Sequence, residues 1–156
     1  MTYQHAKEIH TRPASTVYDT DFYLWTQQQA ALLRRGQLQA VDVANLAEEI
    51  ESMGKSDRRA LGSSLANILL HLLKWRYQPE RRGTSWKLSI RNARRDVARL
   101  VSESPSLKPQ LPDLIQDEYT AARENAADET NLPLATFPAE CPFTTEQLLD
   151  GDYWPD

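Results

Sequence analysis

Between Asp57 and Gln78 the chain repeats apolar residues with the period of an α-helix and very nearly encircles that helix with them. Leu61, Leu65, Ile68, Leu72 and Trp75 form one stripe, and Leu69, Leu70 and Leu73 widen it around the cylinder. A helix that is apolar on most sides must be covered on most sides, so this segment predicts the central member of a helical bundle. Ser56 stands where a cap belongs and Pro79 stops the helix after Gln78. Asn67, His71 and Lys74 interrupt the apolar run from Leu65 to Trp75, which is too short and too polar to cross a bilayer.

The remaining pattern is also helical. The spacing predicts a first helix over 21–35, with Asp19, Thr20 and Asp21 at its start and Arg34, Arg35 and Gly36 at its end. Phe22, Trp25, Leu32 and Leu33 mark its apolar face, and Gln29 is the one polar residue on it. A second helix is expected over 43–53, with Asp42 as cap, Gly54 as terminator, and Val43, Leu46, Ile50 and Met53 on its buried side. The third is the central helix, over 57–78. A fourth follows over 85–103, with Trp86, Ile90, Ala93, Val97 and Leu100 inward, and a fifth over 113–130, with Leu114, Ile115, Tyr119, Ala122 and Ala126 inward. Lys108–Pro112 reads ambiguously because of its two prolines. Residues 132–143 read as an extended arm punctuated by Pro133, Pro138 and Pro142, and Thr144 with Gln147 forms the capping-box pattern of a last short helix. No strand pattern, internal repeat or second domain is evident. The expected fold class is all-α: a bundle of four to five helices with an extended proline-rich C-terminal arm and a short final helix. Residues 1–17 are expected to be a flexible arm and 18–156 a single helical domain.

At 156 residues such a domain buries enough surface to fold without a disulfide or structural metal. Cys141 is the only cysteine, so no internal disulfide can form, and beside Pro142 it reads as a reduced structural thiol. The polar start of the chain lacks a signal-peptide pattern, and a cytoplasmic location with no membrane partner is expected. Net charge is −4 but unevenly spread. Nine basic residues face two acidic ones between Lys74 and Arg99, while twelve acidic residues face two basic ones from Leu100 onward. An acidic tail folded back on a basic middle accounts for this economically.

Three groupings could carry chemistry. Asn67, His71, Lys74 and Gln78 recur at i, i+4, i+7 and i+11, one polar line along the central helix. A histidine and a lysine on adjacent buried turns could have the shifted protonation that acid–base or anion-binding sites need; a solvent stripe or a register-fixing hydrogen-bond set explains the line equally. Glu48, Glu49 and Glu51 lie on the second helix, where only Glu49 flanks the apolar face and can reach a neighbour. Of the histidines His5, His10 and His71, only the last is helical, and no Glu-x-x-His or His-x-x-x-His spacing occurs, so no metal site and no cofactor are expected. Lys87, Arg91, Arg95 and Arg99 line one face of the fourth helix and could grip phosphate, although the acidic pI near 5.4 argues against nucleic acid as the main partner. Phosphate-loop and nucleophile-elbow motifs are missing.

Several of these pieces fall in a recognisable order: Tyr18-Asp19-Thr20-Asp21-Phe22-Tyr23-Leu24-Trp25; Leu46-Ala47-Glu48-Glu49-Ile50-Glu51-Ser52-Met53-Gly54; His71-Leu72-Leu73-Lys74-Trp75 with Tyr77-Gln78-Pro79; Ser85-Trp86 with Ile90 and Arg94; Pro105-Ser106-Leu107; and Phe137-Pro138 with Cys141-Pro142-Phe143. The chain resembles domain-of-unknown-function family 29 in these segments, across roughly residues 18–154. The resemblance implies a small helical bacterial protein and supplies no established activity. It implies that Glu48, Glu49, Glu51, His71, Lys74, Trp86 and Arg94 belong to a recurring pattern, the tryptophans Trp25, Trp75 and Trp86 through packing and the polar members through a shared hydrogen-bond network.

The candidate polar cluster is therefore Glu49, Asn67, His71, Lys74 and Arg94, with no catalytic residue assigned. The leading functional expectation is a non-enzymatic interaction module that binds another macromolecule or self-associates. A nucleic-acid-linked protein using residues 87–99 and a hydrolytic or metal-dependent enzyme centred on Glu49, His71 and Lys74 are the alternatives.

Overall fold

A computed structural model describes residues 16–156. Among them are six α-helices and no strand: α1 (Val17–Thr20), α2 (Phe22–Arg34), α3 (Val43–Tyr77), α4 (Thr84–Glu103), α5 (Leu111–Thr130) and α6 (Thr145–Leu149). The all-α expectation holds. Most of the expected flexible arm, with His5 and His10, lies outside the described residues, whereas Thr16 and Val17 already cap and begin α1. The chain divides into two compact units, one closing at Ser52 and the other opening at Met53.

The expected second and third helices are one. Gly54 ends nothing: α3 runs unbroken from Val43 to Tyr77, Gly54 keeps a negative φ, and Ser56 and Asp57 sit in mid-helix. A glycine inside a helix costs only about 1 kcal/mol relative to alanine. Ending and restarting there would strand up to four carbonyls and four N–H groups, a larger loss. Gly36, by contrast, does terminate a helix. At φ +68° it follows Arg35, and Gly36 and Gln37 return their N–H groups to the Leu33 and Leu32 carbonyls, the doubly bonded glycine stop of a helix C-terminus.

In the first unit, Asp21 caps α2 by accepting from the Leu24 N–H at 2.9 Å. Asp42 is the hub. Its carboxylate accepts from the Trp25 indole at 3.2 Å and from the Asn45 amide at 2.7 Å, while its own N–H donates to Gln29 Oε1 at 2.7 Å. Gln29, the polar interruption of the α2 face, is thus buried because it ties α2 to the start of α3. Tyr18, Phe22 and Trp25 cluster with ring centroids 4.9–5.8 Å apart. Of the face expected to be buried on α2, Trp25 is buried while Phe22 and Leu33 are exposed. Of the face expected on the start of α3, Val43, Ile50 and Met53 are all more than 60% exposed. The periodicity marks an apolar face, but on it only Leu46 is half-buried and the other three stand open to solvent.

The second unit contains the core. Leu61, Leu65, Ile68, Leu69, Leu72 and Leu73 of α3 are fully buried against Ile90, Ala93, Val97 and Leu100 of α4 and Leu114, Ile115, Tyr119, Ala122 and Ala126 of α5. The ambiguous stretch proves to be a 3-10 segment, Pro105–Gln110, leading directly into α5, with Pro112 in the first turn where its missing N–H is not required. Asn131 at φ +54° ends α5. The arm then returns along α5: Tyr119 donates to the Pro138 carbonyl at 2.6 Å, and Arg123 donates to the Phe137 and Leu134 carbonyls. Phe137 is sealed in at 1% exposure, with Tyr77 edge-on to it. Thr144 caps α6 with the expected reciprocal Thr144–Gln147 box.

Candidate functional site

The polar line on α3 is not a solvent stripe. Asn67, His71 and Gln78 are half-buried and Lys74 is buried. Lys74 Nζ donates to Glu129 Oε2 at 2.5 Å and stands 4.7 Å from the centroid of the Trp86 ring, so the ammonium is shared between a carboxylate of α5 and an aromatic face of α4. Gln78 Nε2 reaches the Thr130 carbonyl at 3.4 Å. His71 Nδ1 lies 2.9 Å from the Asn67 carbonyl one turn back. Burial pushes the His71 imidazole below its ordinary value, the bond to Asn67 opposes this, and the Lys74 charge adds to the drop while Glu129 offsets it. The line therefore joins α3 to the end of α5 and holds the two helices in one register.

Glu49 has a different role. Its Oε1 accepts from the Tyr18 hydroxyl at 2.6 Å, within the first unit. That bond, with burial and the Glu49 charge behind it, pushes the Tyr18 phenol up to about 12. Glu49 is the glutamate of its helix that reaches a neighbour, as its position on the flank implied. The structure pairs Lys74 with Glu129, not with Glu49, and among the described residues no group of His, Cys, Asp and Glu is arranged to hold a metal.

Arg94 is the most heavily engaged member of the candidate set. It is buried on α4, and its guanidinium donates to three carbonyls of the C-terminal segment: Leu148 at 2.8 Å from Nε, and Gln147 and Tyr153, each at 3.1 Å, from Nη2. Nη1 is buried without a partner. Burial lowers the affinity of this group for its proton, opposed by the nearby Asp150 charge. Arg82 acts similarly one turn beyond α3, donating to the Trp75 carbonyl at 2.7 Å and standing over the Trp75 ring, itself packed 4.7 Å from Trp154. The acidic tail does return to the basic middle, but chiefly by guanidinium–carbonyl bonds and not by carboxylate pairs.

On the exposed face of α4, the row Lys87, Arg91, Arg95 and Arg99 is not uniform. Lys87 lies over the Trp75 ring, and Arg99 pairs with Asp96 and Glu103. Arg91 and Arg95 have no ion-pair partner among the described residues. They line, with Arg94, Ala98, Gly151 and Asp152, a cleft of about 390 Å³. A second cleft, about 550 Å³, lies between α5 and the arm and includes Tyr119, Cys141 and Phe143. Burial pushes the Tyr119 phenol up to about 12 and also raises the Cys141 thiol, which suits a structural and not a reactive cysteine.

Against known proteins, a family model described as "Domain of unknown function DUF29" matches residues 17–154. The chain belongs to this family. No curated protein and no solved structure matches it. For this DUF29 chain the geometry assigns partners to the candidate residues Glu49, His71, Lys74 and Arg94. Glu129, Tyr18 and the C-terminal carbonyls complete those pairings. Sequence reading does not find them, because nothing in local spacing links Lys74 to a glutamate 55 positions away.

Proposed function

We propose that this protein is a non-enzymatic helical interaction module that docks an apolar helix of another protein chain through its first unit. The observation that carries this reading is the exposure of Tyr23 at 75%, Leu38 at 64%, Val43 at 67% and Ile50 at 62%. Val43, Leu46 and Ile50 follow the 3-4 spacing of a helix–helix seam, so the complementary surface is another amphipathic helix. Isolated exposed apolar residues are common, but several within one small unit mark a contact surface. Glu48 and Glu51 point to solvent from the same helix, which suits a partner helix with basic residues flanking its apolar face. Glu49 and Lys74 fit this picture, since each is occupied by a structural partner, Tyr18 and Glu129, and needs no substrate to explain it.

Native mass spectrometry of untagged protein, alone and recovered gently from its host, tests the reading. A stable protein adduct, or a multiple of the 17.8 kDa chain, that is lost in an Ile50→Glu variant of unchanged thermal stability is the expected result. An adduct that survives Ile50→Glu, or a bare monomer from both sources, overturns it.

A further inference from the structure

The Arg91–Arg94–Arg95 cleft is not explained by docking through the first unit. It lies wholly in the second unit, between one face of α4 and the turn after α6, and has a volume of about 390 Å³. Arg94 is its buried member at 6% exposure, with Arg91 and Arg95 exposed beside it. Three guanidinium groups thus line the cleft against the single carboxylate of Asp152. Asp150 stands nearby, but its Oδ1 accepts from the Asp152 N–H at 2.9 Å and it makes no ion pair with Arg94. Counting both aspartates, positive charge still exceeds negative.

Two features separate this cleft from an ordinary basic surface. Arg94 is buried without a carboxylate partner, which is costly for a cation and usual only where a counter-charge completes the site. Among the described residues its Nη1 is the buried side-chain nitrogen left without a hydrogen bond, whereas such groups are normally satisfied by protein, water or ligand. The neighbouring cations on the same face are engaged, the Lys87 ammonium over the Trp75 ring and Arg99 with Asp96 and Glu103; Arg91 and Arg95 have no such partner among the described residues. Arginine forks match the oxygens of a phosphate two at a time, and against the cleft-lining groups alone, three guanidiniums and Asp152, the surplus of two matches a phosphate monoester with close to two negative charges better than a single carboxylate.

We propose that the cleft formed by Arg91, Arg94 and Arg95 beside Gly151 is a binding site for a phosphate monoester dianion. Arg91 and Arg95 provide the open forks, and Arg94 supplies fixed positive charge behind them. The volume suits a small organic phosphate better than the backbone of a duplex, whose diesters carry one charge each.

Phosphorus-31 NMR titration of the full chain with inorganic phosphate tests this, run in parallel with glycerol phosphate and with a single-stranded oligonucleotide lacking terminal phosphates. Expected is saturable one-to-one binding of inorganic phosphate and of glycerol phosphate, weaker when the pH is lowered far enough to make either a monoanion. Arg91→Gln with Arg95→Gln should weaken it by at least about tenfold without shifting the melting temperature, the scale of losing one charge-assisted bond. Arg99→Gln, outside the cleft, should leave it unchanged. Phosphate binding that persists in the double variant overturns the assignment, as does the absence of binding at millimolar phosphate. Tighter binding of the oligonucleotide than of either small phosphate overturns it in favour of a backbone-binding face.

Discussion

Arg94→Met should unfasten the end of the chain. Methionine replaces much of the aliphatic stem but none of the three bonds to the Leu148, Gln147 and Tyr153 carbonyls. Those bonds do not all count equally. Gln147 and Tyr153 are half-buried, so their carbonyls can turn to water, whereas Leu148 is fully buried and its carbonyl is left without a donor. An orphaned buried acceptor costs about 1–3 kcal/mol, and the lost charged bonds add to it. Removing a buried cation and its unpartnered Nη1 works the other way, so the net loss should be about 2–3 kcal/mol, near the upper part of the single-acceptor range. For a chain of this size that lowers the melting temperature by about 4–12 °C. Calorimetry gives the shift, and hydrogen exchange over residues 145–155 locates it. An unchanged melting temperature, or a drop with no faster exchange in that segment, would refute the view that Arg94 holds the tail in place.

Two further substitutions probe α3. Gly54→Ala should raise stability by up to about 1 kcal/mol, because the added Cβ meets nothing within 4 Å and alanine favours the helix; a loss on urea unfolding would show that the helix breaks there. His71→Gln should flatten the acid side of the stability curve. Because burial depresses the His71 value in the folded state below the ordinary 6.5, the unfolded chain binds the extra proton first. Its contribution is complete above pH 6.5 and is lost as the pH falls through the folded value, so melting temperatures from pH 7 to 5 should decline less in the variant. Identical slopes would remove His71 from the account.

The central helix, the α6 cap and the inward faces of α4 and α5 are legible in the sequence because each depends on local spacing. Gly54 misleads for a local reason too: glycine after an apolar face resembles a helix stop, and only the continuation of hydrogen bonding through Ser56 and Asp57 decides otherwise. Coverage is what spacing cannot supply. Val43 and Ile50 carry the same pattern as Leu65 and Leu72, yet one pair faces solvent and the other fills the core. The polar line of α3 is legible as a line, but its meaning depends on Glu129 and Thr130, which are brought to it only by the α3–α5 packing. Arg94 reads as one cation among nine until the C-terminal carbonyls are seen around it.

The single thiol gives the arm a clock. Cys141 is half-buried in the segment strapped to α5, and its Sγ lies 3.5 Å from the Phe143 carbonyl, within reach of a weak hydrogen bond. Because burial also keeps that sulfur protonated, a maleimide or disulfide reagent meets a nucleophile chiefly when the strap lifts. The alkylation half-time, compared with that of the unfolded chain, therefore counts the lifting events, and one reagent added to the native protein can time the opening of a segment that no tryptophan signal isolates.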